Sequence, residues 1–274
     1  QKHYKEHKKS LTYGECASLL TDLKNMHIWL KEISSVALQQ SLRHLEDAFK
    51  RFYKREAKFP KPKKRRHQQS ITFMKNAFTY KNGEITLAKC KTPLNIRWSR
   101  RFSGEPISIT ISKDCRERYY ISILVEEVVK PLPLCNTAVG IDLGLKATVT
   151  TSDGIKMEPQ KALEKQLKRM RLYGQAFSRK KKGSSNAKKA RLKIANLSGK
   201  IQETRKDYLH KLSKLLVNEN QVICMESLKV KNMMKNKRLA RAIGDAGWGM
   251  LVQFVKYKSQ WYGRQFVQVD TFFP

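Results

Sequence analysis

The chain of 274 residues is long enough for about two domains of ordinary size, so a single short motif is excluded as the whole protein. Lysine and arginine number 57 against 23 aspartate and glutamate, which gives a formal net charge of +34. Such an excess repels itself unless a polyanion neutralises it, so nucleic acid is the expected partner. The hydrophobic content of 40% exceeds that of unfolded basic tails, and we expect the chain to fold.

No membrane span, secretory signal or disulfide framework is predicted. No stretch approaches the roughly 18 consecutive apolar residues of a span, and the first ten residues contain no apolar secretory core. The five cysteines are odd in number and form no C-x-x-C pair, so we expect reduced and buried thiols. The histidines have no metal-ligand spacing. These features predict a cytoplasmic protein.

The first 57 residues are predicted to be helical. A short helix is expected over about 12–24 and a longer one over about 28–57. Apolar residues of the longer helix repeat at intervals of four and three, which is typical of one buried stripe. The stripe consists of Leu38, Leu42, Leu45, Phe49 and Phe52. Arg51 and Lys54 lie off it and either contact phosphates or belong to a solvated face.

Residues 59–66, FPKPKKRR, predict a linker that ends this helix, because proline lacks the amide proton and clashes with the preceding turn. Its basic residues either contact phosphate or form a solvated loop: Lys63, Lys64, Arg65 and Arg66. Short runs with a period of two follow, separated by turns at 81–83 and 103–104. They predict an antiparallel sheet or a small barrel. The runs cover residues 70–73, 84–90, 106–112 and 119–129.

The last part of the chain alternates strands and helices, which predicts an α/β domain. The expected strands cover residues 137–142, 146–151, 221–226 and 265–270, with turns at Gly144 and at 153–154. A helical hairpin is expected over 160–218, with a break at 183–185. On its second helix, the expected apolar face consists of Ala190, Ile194, Leu197, Ile201, Tyr208, Leu212 and Leu215.

The hairpin is strongly cationic, with sixteen lysines and arginines and two acidic residues between 161 and 206. An ordinary solvated face interleaves both signs of charge, so this surface favours phosphate binding. The candidates are Arg179, Lys180, Lys181, Lys182, Lys188, Lys189 and Arg191. Trp248 lies between two glycines and could stack on a base, but its helical spacing with Val252 and Val255 favours the core.

Asp142 and Glu226 each end an otherwise apolar strand, where open α/β sheets present ligands and catalytic groups. Two carboxylates at strand ends suggest a shared Mg²⁺ site suited to phosphodiester cleavage. The string VGIDLG over 139–144 resembles the first motif of RuvC-like nucleases and also the phosphate motif of actin-like ATPases. The ATPases usually continue with a hydroxyl residue, whereas Leu145 and Lys146 follow here, and the charge suits a polymer of phosphates.

A longer series of motifs resembles the TnpB (OrfB) proteins of bacterial insertion sequences, and the similarity extends along nearly the whole chain. The motifs are, in chain order, residues 11–14, 37–42, 59–60, 138–146, 178–184, 225–229, 232–240, 245–249, 258–263 and 272–274. Members of that family are related to type V CRISPR effectors and are understood as RNA-guided DNA endonucleases.

The resemblance implies a helical recognition domain over 1–57, a β-barrel wedge domain over 58–134 and an RNase H-like RuvC domain over 135–274. It assigns Asp142 and Glu226 as two of three catalytic carboxylates, which hold two Mg²⁺ ions in a complete site. The partners that it implies are guide RNA and target DNA, with further basic contacts at Lys235, Lys237 and Arg238.

The family pattern also has parts that this sequence lacks. A first wedge strand is expected before Gln1, and a Zn²⁺-binding ribbon and the third catalytic Asp are expected after Pro274. The chain is therefore expected to be a fragment that does not cleave DNA by itself. A nuclease-inactive RNA-guided DNA-binding protein stays open as the alternative, because the third carboxylate decides between them. A transposase that joins single strands is not indicated, because the sequence shows no Tyr or His pair for that chemistry.

Overall fold

The computed structural model describes residues 11–64 and 69–270, and the chain divides into two compact units, Gln1–Glu127 and Val128–Pro274. The finer division into three domains stays a prediction. Within the described residues, no helix is long and apolar enough to cross a membrane. The predicted mixed α/β architecture is confirmed.

The first unit contains two α-helices, two short 3-10 helices at Ile28–Glu32 and Lys75–Ala77, and five strands among its described residues. In chain order its main elements are α1 (Tyr13–Met26), α2 (Ser35–Tyr53), β1 (Gln69–Met74), β2 (Phe78–Lys81), β3 (Glu84–Leu87), β4 (Pro106–Lys113) and β5 (Tyr119–Val125).

The helices of the first unit match the predicted pattern except at the start of α2. A capping box between Thr12 and Glu15 fixes the start of α1. Extended backbone at Ile33 separates the 3-10 turn from α2, so the long helix begins later than predicted. The predicted apolar stripe is only partly covered, because Leu45 is 46% exposed.

The strands of the first unit form antiparallel pairs, as predicted. Strands β1, β4 and β5 form one sheet, and β2 with β3 forms a hairpin that the sequence pattern missed in part, since β2 was not predicted. The predicted turn at its tip is confirmed, with left-handed backbone at Asn82 and Gly83. Both sheets are open, so closure into a barrel is not confirmed. Their shared core includes Ile85 and Ile109, which are fully buried.

The second unit is a five-stranded mixed sheet with helices packed on it. Its elements are β6 (Ala138–Asp142), β7 (Val149–Thr151), β8 (Lys156–Met157), α3 (Ala162–Ser178), α4 (Ser185–Glu219), β9 (Val222–Glu226), α5 (Val230–Met233), α6 (Ala240–Ala246), α7 (Trp248–Trp261) and β10 (Gln265–Val269). The strand order is β10-β9-β6-β7-β8, in which β10, β9 and β6 are parallel and β7 and β8 are antiparallel.

One hydrophobic core joins the sheet to α4 and α7. Strands β6 and β9 direct Val139, Ile141, Ile223 and Met225 into it, all at most 4% exposed. Trp248 is 3% exposed in the same cluster, which confirms the core role favoured from its spacing.

Two expectations about burial are wrong. Leu215 is 43% exposed, because α4 turns the neighbouring Leu212 and Leu216 towards the core instead. The cysteines are free, as predicted, but none of them is buried, and Cys90 and Cys115 are exposed. Both exposed cysteines lie outside the regular elements of the first unit, so neither has a sheet or helix face to pack against.

Candidate active site and nucleic-acid interface

The structure brings Asp142 and Glu226 to the same edge of the sheet. Strands β6 and β9 are parallel, and their register pairs Ile141 with Met225. Continuing that register by one residue places the two carboxylate residues opposite each other. Neighbouring strands lie about 4.8 Å apart, and side chains alternate between the faces, so both carboxylates leave the same face. That face is opposite to the core, which leaves Asp142 exposed and Glu226 half-buried.

Short-range contacts fix the backbone on both sides of Asp142. Gly144 follows Asp142 in the turn, and a Cβ added at this glycine would lie 3.0 Å from the carbonyl oxygen of Ala147. A side chain at this position would therefore push the turn apart. Behind the turn, Ser152 donates its backbone N–H to the carbonyl of Gly140 at 2.8 Å, and its Oγ accepts the N–H of Gly140 at 3.2 Å. These contacts lock β6 against the returning chain just before the carboxylate.

The described residues contribute two adjacent carboxylates at this edge. Among residues 11–64 and 69–270, no group of three or more His, Cys, Asp and Glu side chains is placed to hold a metal ion. Asp270 follows β10, the third parallel strand, but the register pairs Glu226 with Val269, so Asp270 lies one residue beyond the carboxylate row. Hard oxygen donors from one or two carboxylates fit Mg²⁺, which usually keeps water and phosphate oxygens as its other ligands.

The cationic hairpin forms as predicted, with its break at 179–184. Ser184 caps α4 by accepting the backbone N–H of Ala187 at 3.1 Å. All seven basic candidates of the hairpin are exposed, and no salt bridge joins any of them to an acid in the described part of the chain. The hairpin therefore presents uncompensated positive charge to solvent: Arg179, Lys180, Lys181, Lys182, Lys188, Lys189 and Arg191.

An acid anchors the base of the hairpin to α6. The carboxylate of Asp245 accepts the backbone N–H of Leu163 at 3.0 Å and that of Glu164 at 3.3 Å. It also lies 3.3 Å from the guanidinium of Arg205 on α4, with only 9% of its own side chain exposed. A carboxylate at a helix start satisfies free amides and favours the helix dipole. Asp245 thus ties both helices of the hairpin to α6.

A close contact with α4 beside this anchor explains why residue 247 is a glycine. Gly247 has left-handed backbone with φ of 71° and ends α6. A Cβ at this position would meet Leu209 at 3.0 Å and Arg205 at 3.1 Å, both on α4. The α6–α7 corner therefore packs on these two α4 side chains too closely to admit a side chain at position 247.

The other predicted phosphate contacts that the structure describes are exposed, but they lie in different parts of the chain and one of them pairs with an acid. Arg51 lies 3.8 Å from Glu56, so its charge is partly neutralised. Three more lie between α5 and α6, in the loop that leads into α6: Lys235, Lys237 and Arg238. Lys54 at the end of α2 is exposed, and so are Lys63 and Lys64 in the linker. Arg65 and Arg66 lie outside the described residues.

Two buried cations were not predicted from the sequence, because lysine and arginine are normally expected on the protein surface. Lys258 on α7 donates to the carbonyl of His210 and to the hydroxyl of Ser213, each at 2.7 Å. Burial lowers the pKa of Lys258, and the nearby charge of Lys214 lowers it further. Arg264 donates to the carbonyls of Pro133 and Val217 and so holds the start of this unit against α4. Both cations stabilise packing and lie in the interior.

The chain is similar to a known protein family and to named relatives in two bacteria. The OrfB family of IS605 insertion sequences, described as "Probable transposase", matches residues 121–237. A protein of Streptomyces pristinaespiralis with the provisional name RNA-guided DNA endonuclease is 43% identical over 269 residues, which cover 96% of this chain and 67% of that protein. Escherichia coli K12 has a relative with the same provisional name, InsQ, that is 34% identical over 95% of this chain and 69% of its own length.

A solved structure, the cryo-EM complex of Cas12f1 with sgRNA and target DNA, is 13% identical, with a TM-score of 0.48 over 86% of this chain and 61% of that one. The chain thus spans about two thirds of the length of the curated relatives it matches. With such identity along nearly all of its residues, the chain belongs to the TnpB (OrfB) family of insertion-sequence proteins.

Proposed function

We propose that this chain is part of an RNA-guided DNA endonuclease that hydrolyses phosphodiester bonds at a RuvC-type site built on Asp142 and Glu226. The observation that carries the proposal is the register of β6 and β9, which sets these two carboxylates side by side on the open face of the sheet. The names of the two relatives support the same activity. Under this proposal the protein acts on DNA in the bacterial cytoplasm, bound to a guide RNA.

The two carboxylates would hold divalent cations at the site of cleavage. Asp142 and Glu226 supply oxygen ligands for Mg²⁺, and an exposed edge leaves space for the strand to be cut. A divalent cation held there would supply Lewis-acid stabilisation of the charge that develops on the phosphoryl oxygens. The chain itself fixes the spacing of the two carboxylates through the paired backbones of β6 and β9.

Affinity comes from other residues. In RNA-guided recognition, base pairing reads the target, while the protein grips the backbone of the heteroduplex. The exposed basic residues of the hairpin suit that task, because lysine and arginine gain affinity by releasing counterions from phosphates. The open sheets of the first unit and helices α1 and α2 would then form the wedge and recognition parts.

The proposal is tested by exchanging each carboxylate for its amide in the complete gene product. Asp142→Asn and Glu226→Gln remove a ligand charge at nearly constant shape, so target cleavage should fall by at least about 100-fold. Guide RNA and target DNA should bind within about threefold of the wild-type affinity, since binding depends on distant phosphate contacts.

Asp153→Asn and Glu219→Gln are the matched controls, because both acids are exposed in the same unit and outside the carboxylate row. Both control variants should cut at the wild-type rate. Wild-type cleavage by Asp142→Asn or Glu226→Gln would overturn the assignment of the site.

A nuclease-inactive RNA-guided DNA-binding protein is the second candidate. The described residues bring two carboxylates together at the edge, and a third carboxylate ligand decides between the two candidates. For the same reason we expect residues 1–274 alone to bind nucleic acid without cutting it. Mg²⁺-dependent cleavage by residues 1–274 would contradict that expectation. A complete gene product that binds guide and target but never cuts would establish the second candidate.

A further inference from the structure

Three aromatic rings of the first unit form a cluster at the end of the β2–β3 hairpin. Tyr80, Trp98 and Phe102, here called the aromatic cluster, have ring centroids 5.4 to 6.3 Å apart. The planes are tilted by 32° to 60°, so the rings are neither stacked nor perpendicular. Trp98 is 40% exposed and Tyr80 is 36% exposed, which leaves ring surface open to solvent.

The aromatic cluster lies outside the hydrophobic core of its unit. Tyr80 is on the same face of β2 as Phe78, but Phe78 is 9% exposed and belongs to the core, whereas Tyr80 does not. Leu94 and Ile96 pack on the core, and the N–H of Leu94 bonds to the carbonyl of Ile85 at 2.7 Å. The chain is therefore anchored just before Trp98, and the rings beyond that anchor are held in place at the surface.

The segment that carries two of these rings has only positive charge. Residues 85–104 contain no aspartate or glutamate. Their basic residues are all exposed, and none forms a salt bridge in the described part of the chain: Lys89, Lys91, Arg97, Arg100 and Arg101. Arg97 and Arg100 flank Trp98 in the sequence, so cationic groups surround the exposed indole.

We propose that the aromatic cluster and its arginines form a binding site for single-stranded nucleic acid, in which an unstacked base lies on Trp98. Aromatic rings offer a face to any base, and adjacent cations hold the phosphates. A duplex keeps its base faces covered, so it can use the arginines but not the ring. An apolar protein partner fits less well, because five positive charges would have to be matched or desolvated around it.

This site is independent of the carboxylates. It is in the first unit, it needs no metal ion, and it binds whether or not the second unit cuts DNA. The shared chemistry is a flexible strand with an accessible base, which either a guide RNA or a displaced DNA strand can supply.

The test measures binding of fluorescent single strands of about 12 nucleotides, as RNA and as DNA of one sequence, to the full chain and its variants. Trp98→Ala should weaken binding of at least one strand roughly 5- to 150-fold, the range expected when one stacked base is removed. Trp98→Phe keeps a ring and should stay within about threefold. Trp261→Ala is the matched control, since this indole is 54% exposed in the second unit, and it should bind as the wild type does.

Two further strands separate stacking from phosphate contact. An abasic DNA strand and a blunt duplex should bind wild type and Trp98→Ala equally, because neither offers a free base face. The proposal is overturned if Trp98→Ala binds both normal single strands like the wild type, or weakens the abasic strand as much as the normal one. The strand that responds identifies RNA or DNA as the source of the base.

Photocrosslinking of the unmodified protein to strands carrying 5-iodouracil covers the case in which Trp98→Ala does not fold. Adducts should appear on the tryptic peptide of residues 98–100 or on the peptide that contains Tyr80. Adducts confined to other parts of the chain would contradict the proposal. If the complete gene product cuts DNA normally but forms no crosslinks at these peptides, this site is rejected and the proposed function is unaffected.

Discussion

The carboxylate edge and the cationic hairpin belong to one structural unit but are built in opposite ways. At the edge, two acids are placed by backbone pairing between β6 and β9, and a single residue of register decides whether they meet. On the hairpin, seven exposed basic residues lie on the connecting loop and the first two turns of α4, with no acids paired to them in the described chain. Chemistry at the edge depends on exact position, while attraction by the hairpin depends on the sum of its charges.

This difference predicts how each region responds to change. A metal site loses its function when one ligand is removed, because the remaining ligands cannot place the ion or the phosphate. A counterion-release surface loses affinity in steps, because each cation contributes a similar amount. Perturbations of the edge should therefore change rates, and perturbations of the hairpin should change affinity.

Removal of divalent ions should have the largest effect, because it takes the expected metal from the edge. Adding EDTA to the complete gene product with its guide should reduce target cleavage at least about 100-fold, and excess Mg²⁺ should restore it. Target binding, measured by gel shift in the same buffer, should persist. Cleavage that continues in EDTA would contradict a metal site at the edge, because the carboxylates would then have no ion to hold.

Neutralising the hairpin tip should change affinity and salt dependence. Replacing Arg179, Lys180, Lys181 and Lys182 with Ala should weaken duplex binding roughly 10- to 100-fold and lower the salt slope by about 0.9 for each phosphate that is no longer neutralised. Titrations at several salt concentrations measure both quantities. Exchanging Arg for Lys and Lys for Arg at the same four positions keeps the charge and should leave the slope unchanged. An unchanged slope in the Ala variant would show that the tip does not contact phosphate.

The next largest effect is expected at Asp245, the acid that anchors the base of the hairpin, and it should change the stability of the second unit. Asp245→Asn removes a charge that meets two helix amides and Arg205, so the second unit should lose about 1 to 3 kcal/mol of stability. Asp207→Asn is the matched control, because that acid pairs with Lys211 while 63% exposed, and its removal should cost under about 0.5 kcal/mol.

Urea unfolding of both Asp variants, followed by circular dichroism, measures the difference. Amide exchange at Leu163 and Glu164 should also accelerate in Asp245→Asn, since those N–H groups lose a charged acceptor. Equal unfolding midpoints for the two variants would mean that Asp245 is no anchor.

The smallest effect is expected at Lys258. Its pKa is lowered in the folded protein by burial, so the folded state binds the proton less well than the unfolded state does. Stability from this residue should therefore rise as the pH increases through the folded pKa towards 10.5, the ordinary value. Lys258→Met should lack that rise and differ from wild type by under about 1 kcal/mol at pH 7, because Ser213 keeps its bond to the carbonyl of His210.

Melting curves across that alkaline range compare Lys258→Met with wild type. Lys256→Met on the exposed side of the same helix is the control and should retain the rise. A stability profile of Lys258→Met that parallels the wild type would contradict a buried, proton-sensitive lysine.

Sequence patterns predicted what depends on neighbours along the chain. The hairpin break at Ser184, the turn at Gly83 and the strand that ends in Asp142 all follow from local residue preferences. The sequence could not show that Asp142 and Glu226 meet, because 84 residues separate them and only the parallel register aligns their strands. The position of both carboxylates at strand ends suggested that pairing, and the structure supplied the geometry.

Interior cations and the aromatic cluster were missed for the same physical reason. Lys258 and Arg264 are stabilised by carbonyls and a hydroxyl from distant segments, so nothing beside them in the sequence marks them as buried. Tyr80 and Trp98 meet through the hairpin fold, although the absence of acids over 85–104 was a visible signal of a binding surface. Long-range packing decides both cases.

The length of α4 separates the two regions electrically. The helix has 35 residues and therefore extends about 52 Å, of which about 36 Å separate its first residue from the core position Leu209. Ions screen exposed charges over about 8 Å at physiological ionic strength, so the tip field decays long before the packed half of the helix. Salt can therefore weaken capture of a nucleic acid without altering the ionisation of groups beside the sheet, and once the complex is saturated the rate of the chemical step should be insensitive to ionic strength.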